Sequence, residues 1–222
     1  HDLGKGVLSD MGGIYTLGIQ PGTRIYHNVI FNIRKRHYGG WGIYTDEGSS
    51  HIVIENNLVY DCSCEAFNQH YGRENIVRGN IFAFGEDACV SNTRTWDRSY
   101  TMPGENLSKT VTLTGNVFIT DRKPFYRIDF EDLIKDKRMV CEDNFFFDLS
   151  GETATFCLRT NGIAEQKYNE SLWRESGFDR HSICRDPGMF DPGARDFRLR
   201  ENSVLREFGF EEWDFSLAGT GK

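Results

Sequence analysis

The chain has 222 residues, enough for one sizeable domain or two small ones. Its 26 Lys and Arg against 33 Asp and Glu give a net charge of −7 with histidines neutral, a poor balance for gripping a phosphate backbone, so no nucleic-acid partner is expected. At 38% apolar residues it is too hydrophobic to be disordered, yet no stretch approaches the roughly 20 apolar residues of a membrane span, so no membrane partner is expected either.

The chain opens at His1 without a basic-then-apolar leader, which suggests that a leader or a further domain preceded it. Glycine is high at 23 residues and proline low at 5, a balance that favours short strands joined by bends over long helices. The six cysteines form no Cys-x-x-Cys pair, so zinc-knuckle and thioredoxin-type readings have little support and no metal or cofactor is expected. They fit a role as small buried apolar residues; an even count also permits disulfides, and the compartment stays undecided.

In chain order, the first predicted strand is Gly13-Ile14-Tyr15-Thr16, beginning a first turn of chain that starts abruptly near Leu3. Next comes Ile25-Tyr26-His27-Asn28-Val29-Ile30-Phe31, an apolar residue, two variable residues, an Asn and an apolar run. Gly42-Ile43-Tyr44-Thr45 repeats the first strand 29 residues later, and Glu65-Ala66-Phe67-Asn68 takes the same slot after another 23. The Asn unit returns around Asn57, Asn80, Asn116 and Asn144, with spacings of 29, 23, 36 and 28 residues. Five copies with variable insertions predict stacked turns of a parallel β-helix, with Asn over Asn and each Asn in a bend that tolerates left-handed backbone. A β-sandwich with turn asparagines is the alternative, and it accommodates the regular register poorly.

The pattern stops near Thr160. Residues 1–160 are read as the repeats and residues 161–222 as an irregular capping segment of the same domain, with a short helix near 167–176. Phe190, Phe197, Leu199, Phe208, Phe210, Trp213 and Phe215 make that tail apolar enough to pack over the open end of the stack. The opposite end has no such cap in sequence, so missing earlier turns or a packing partner are expected there.

Polar and aromatic residues concentrate in the first three repeats. Asp10 precedes the first Gly-Ile-Tyr-Thr strand, and Asp46 and Glu47 follow the second. Cleaving a glycosidic bond takes two carboxyls across the sugar, one protonated and one charged, so this set forms a candidate catalytic group. The plainer reading makes Asp46-Glu47-Gly48 a turn and Asp10 a backbone acceptor. His70 and Tyr71 fit either a turn or a substrate-binding pair, and Tyr15, Trp41 and Tyr44 either sugar stacking or core packing. Arg127 and Asp129 read as an internal ion pair.

Ser9-Asp10-Met11-Gly12-Gly13-Ile14-Tyr15-Thr16, Gly40-Trp41-Gly42-Ile43-Tyr44-Thr45-Asp46-Glu47-Gly48-Ser49-Ser50 and His70-Tyr71-Gly72 resemble glycoside hydrolase family 141. So do Asp179-Arg180-His181-Ser182-Ile183, Asp186-Pro187 and Asp196-Phe197-Arg198-Leu199, and the resemblance runs to the C-terminal half of such enzymes. The segment from Asn92 to Asn106 is less typical of the pattern. The resemblance implies a right-handed parallel β-helix, hydrolysis of plant cell-wall or related polysaccharide with fucosidase- or xylanase-like activity, and a secreted or periplasmic location. It places the acidic pair at Asp10 and Asp46, with Glu47 a close competitor. A polysaccharide lyase on the same scaffold and a non-catalytic carbohydrate-binding β-helix are the competing functions.

Overall fold

A computed structural model describes residues 1–93, 109–129, 131–160 and 164–218. Most of the segment 92–106 and the residues just past 160, where the repeats were expected to end, lie outside that description. Among the described residues the chain is mostly β, with α-helix confined to Glu131–Lys135, Glu170–Glu175 and Val204–Glu207. None of these helices is long and apolar enough to cross a membrane.

Apart from an antiparallel pair in the tail, Met189–Asp191 with Asp196–Leu199, the described strands form three largely parallel sheets that the chain visits in rotation. Met11–Thr16, Gly40–Thr45, Phe67–Gln69, Val90–Asn92, Tyr126–Ile128 and Thr155–Thr160 make the first sheet. Arg24–Tyr26, Val53–Glu55, Asn75–Arg78, Val111–Thr114 and Met139–Glu142 make the second. Val29–Ile33, Leu58–Cys62, Ile81–Ala83, Val117–Thr120, Phe145–Asp148 and Ile183–Cys184 make the third. Because strand side chains alternate, each sheet sends one file of residues inward. The files are Ile14, Ile43, Phe67, Val90, Tyr126 and Phe156; Ile25, Ile54, Val77, Leu113 and Cys141; and Ile30, Val59, Phe82, Phe118, Phe146 and Cys184. All three meet in one core.

The corner between the second and third sheets carries the repeated asparagines as one ladder. Asn28 donates from Nδ2 to Oδ1 of Asn57 at 2.9 Å, Asn57 to Asn80 at 2.9 Å, Asn80 to Asn116 at 2.9 Å and Asn116 to Asn144 at 3.2 Å. Each accepting oxygen also takes the main-chain N–H of the preceding asparagine, at 3.1, 2.9, 3.1 and 3.0 Å. The ladder ends on the buried carboxylate of Asp179, which accepts from Asn144, Ser182 and Trp173. The left-handed position is one residue earlier than expected: His27, Asn56, Gly79, Gly115 and Asp143 have positive φ, and the ladder asparagines do not. The asparagine side chain needs an inward-facing site, and the residue before it makes the turn.

The third sheet is apolar on its outer face too. Leu58, Ile81, Val117 and Phe145 line that face, and Met189, Phe197, Leu199, Leu205, Phe210 and Phe215 from the tail cover it. The tail therefore divides. The antiparallel strand Ala164–Asn169, with Trp173 stacked on Phe156 and Phe178, closes one end of the core, whereas the rest runs back along the third sheet. All six cysteines are free and five are buried.

A buried amide that loses its partner keeps its desolvation cost. Asn80→Ala removes the acceptor for two N–H groups of Asn57, and should cost about 3 kcal/mol in urea unfolding. Asn28→Ala, at the exposed end of the ladder, should cost about 1 kcal/mol.

Candidate active site

The site lies at the edge of the first sheet, where the two Gly-Ile-Tyr-Thr strands pair in the expected register, Ile14 with Ile43 and Tyr15 with Tyr44. The next strand departs from expectation by one residue. Ile43 pairs with Phe67, Tyr44 with Asn68 and Thr45 with Gln69, a step of 24 although the asparagine corner steps by 23. A one-residue slip exchanges the faces of a strand. Phe67 consequently enters the core and stacks near Phe82, while Asn68 takes the outward position expected for Phe67. The same step brings His70 to Asp46.

Asp46 is 7% exposed and stands just past its strand. The Tyr15 hydroxyl donates to its Oδ2, and the Tyr44 hydroxyl donates to Oδ1 at 2.8 Å. His70 Nδ1 lies 2.7 Å from the same Oδ1. An ionised carboxylate can only accept, so Nδ1 carries the proton of this bond. Burial acts to raise the Asp46 pKa, but the bonds from Tyr15, Tyr44, His70 and the Glu47 amide outweigh it and hold the group below the usual carboxylate range. The two tyrosines shift the other way: burial first, and then donation to Asp46, push both hydroxyls well above their ordinary value. Asp46 is thus charged at neutral pH, where the two tyrosine hydroxyls stay protonated.

Asp10 sits at the other end of its strand, with left-handed φ of 54° and its N–H on the Tyr38 carbonyl at 2.9 Å. A bend at the glycines turns that end toward Asp46. Trp41 and Tyr44, three residues apart, would face opposite ways on a regular strand, yet their ring centroids are 4.2 Å apart. The bend needs glycine: a Cβ on Gly12 would lie 2.8 Å from Tyr44 Cβ, and one on Gly42 would lie 2.1 Å from Val59 Cγ1. The charge of Asp10 acts on both Tyr15 and Tyr44 across this bend, and Asp10 and Asp46 together push up the pKa of Tyr38. Glu47 is exposed and contributes its charge and its main-chain amide.

The aromatic residues divide by exposure. Trp41 and Tyr44 are buried against each other, Tyr15 is 42% exposed and meets Tyr44 edge-on at 4.9 Å, and Tyr71 stacks on His70 at 4.6 Å. Tyr15 and, beside Asp10, the 58% exposed Tyr38 are therefore the rings here that solvent reaches most.

Behind Trp41 lies a buried charge cluster that sequence reasoning missed. Glu65, with no exposed side-chain surface, accepts from the Trp41 indole at 2.8 Å and pairs with Arg127 at 2.7 Å. Arg127 also reaches Asp87 at 3.3 Å, so the expected pair with Asp129, at 3.8 Å, is the outer part of a larger network. Cys64, Glu65 and Asp87 are close enough to share a cation, but Lys35 approaches Cys64 at 3.2 Å and Arg127 holds Glu65, so the cluster already supplies its own cations. The available signal was a carboxylate standing where the earlier repeats have glycine.

No protein-family model matches the chain, nor does any curated protein or solved structure.

Tyr44→Phe removes a donor that lowers the Asp46 pKa, so that pKa should rise toward the ordinary 3.8. An NMR titration of the aspartate carboxyl carbons reads this directly. In the parent protein the stability contributed by Asp46 is present above 3.8 and disappears as pH falls through its lower folded pKa. The Tyr44→Phe protein should lose that contribution at a higher pH.

Proposed function

We propose that this chain is a glycoside hydrolase acting on a plant cell-wall or related polysaccharide. The observation that carries the proposal is Asp46, a nearly buried carboxylate held ionised by two tyrosines and a histidine, with the charge of Asp10 acting on the same two tyrosines and Tyr15 42% exposed. Hydrolysis needs one carboxyl that stays charged and another that exchanges a proton with the leaving oxygen. Asp46 suits the first role, as nucleophile or as base for water. Asp10, exposed and tied by its main-chain N–H to the Tyr38 carbonyl, takes the second, as the general acid that gives a proton to the glycosidic oxygen while the bond to the sugar carbon breaks. Glu47, exposed beside Asp46, is the reserve for that proton. Tyr15 stacks on the sugar, and His70 with Tyr71 borders it. The resemblance to family 141 in the Asp10 and Asp46 segments points the same way.

The scaffold we propose is a right-handed parallel β-helix. Three parallel sheets visited in rotation and one asparagine per turn support that reading. Export to the periplasm or outside the cell belongs to the same proposal.

Asp46→Asn and Asp10→Asn should each reduce sugar release from a neutral polysaccharide panel by about 10³-fold; the melting temperature should be unchanged in Asp10→Asn and lowered in Asp46→Asn, which must still be folded at the assay temperature. Full activity of the double variant would reject the assignment. Products absorbing through a new double bond would identify a lyase, and binding without cleavage across the panel would identify a binding module.

A further inference from the structure

On the corner formed by the asparagine ladder, the tail runs alongside the repeats. Phe208 meets Phe145 with ring centroids 5.0 Å apart, Asn56 Nδ2 donates to Glu211 at 2.9 Å, and Trp213 packs on His27 at 5.0 Å. Between this strap and the second sheet lies a groove of about 570 Å³. Its floor is the row of left-handed turn residues, Asn56, Gly79, Gly115 and Asp143. Those four stand on successive repeats, so at about 4.8 Å per strand the floor is about 14 Å long, the span of a trisaccharide.

The lining has the features of a sugar subsite. Phe208 is 55% exposed and offers an aromatic surface for the C–H face of a pyranose. Asp143, Glu211 and Thr114 supply acceptors and a hydroxyl for sugar hydroxyl groups. Arg78, the only cation among the described lining residues, pairs at 2.6 Å with Glu55, which Arg24 shares. With Asp143 and Glu211 unopposed, a uronate chain would meet like charge. Gly115 leaves the centre open, since a Cβ there would meet nothing within 4 Å.

We propose that this groove binds a neutral linear oligosaccharide as a second, non-catalytic site, independent of the hydrolase assignment and on a different corner from Asp46. Gly115→Asn tests it without disturbing the turn, because Asn56 and Asp143 hold the same corner position at φ of 53° and 55°. An asparagine there fills the floor and keeps the backbone. Phe208→Ala removes the wall. Xylohexaose, cellohexaose and mannohexaose would be titrated separately into the full chain carrying Asp46→Asn, with hexagalacturonate as the charged control. Binding is followed by the amide NMR signals of Thr114, Gly115 and Gly209. At least one neutral hexasaccharide should shift these signals and hexagalacturonate should not, and each groove variant should weaken binding about ten-fold. Unshifted groove signals with all three neutral sugars, equal or tighter binding of hexagalacturonate, or unchanged affinity in Gly115→Asn would overturn the proposal. A chain that binds here yet hydrolyses nothing would retain this site and lose the hydrolase reading.

Discussion

The asparagine ladder is the interaction on which the rest of the structure depends. Each amide satisfies the next, so four buried polar side chains become neutral members of a chain of hydrogen bonds. Main-chain N–H groups bond to the same oxygens, which ties the corner of every repeat to its neighbour. With that corner pinned, the remaining chain of each repeat can vary in length from 23 to 36 residues without disturbing the parallel pairing. The inward files of Ile, Val and Phe then stack as a consequence.

The proposed active site lies away from the pinned corner, at the edge of the first sheet. There the step between strands differs by one residue from the step at the ladder, and the extra residue is absorbed in the connection between them. This tolerance places His70 against Asp46 and turns Phe67 into the core. Glycines at the bend bring the Asp10 end and the Asp46 end of adjacent strands into one electrostatic neighbourhood. The buried pair of Glu65 and Arg127 braces the indole behind Tyr44. The parallel sheets therefore present a locally irregular edge, and the irregularity is what brings His70 to Asp46.

Much of this was legible in the sequence. The recurrence of asparagine before an apolar run specifies which residues form the ladder, and the repeated Gly-Ile-Tyr-Thr specifies the first pairing. Asp46, Tyr15, Tyr44 and His70 were all visible as a polar and aromatic concentration. What was hidden has physical causes. A spacing of 23 between asparagines says nothing about where along the turn an extra residue is taken up, so the Phe67 register could not be read from it. The left-handed position is filled by His, Asn, Gly, Gly and Asp in turn, a mixture with no fixed identity, whereas the conspicuous asparagine beside it is held by its side chain. The third sheet announces its two-sided burial through unbroken apolar runs such as Phe145-Phe146-Phe147. Continuous hydrophobicity of that kind signals a strand covered on both faces, and the tail is its cover.

The ladder also has a polarity. Every amide presents its oxygen toward the earlier repeat and its N–H toward the later one, so the side-chain dipoles add in one direction, as peptide dipoles do along a helix. Their positive end meets Asp179, a carboxylate among donors. An acid that only accepts can terminate such a series and cannot pass it on. New turns could therefore be spliced between existing asparagines, each insertion renewing the relay, but none could be appended beyond Asp179. One carboxylate acts as the full stop of a sentence whose length is otherwise free.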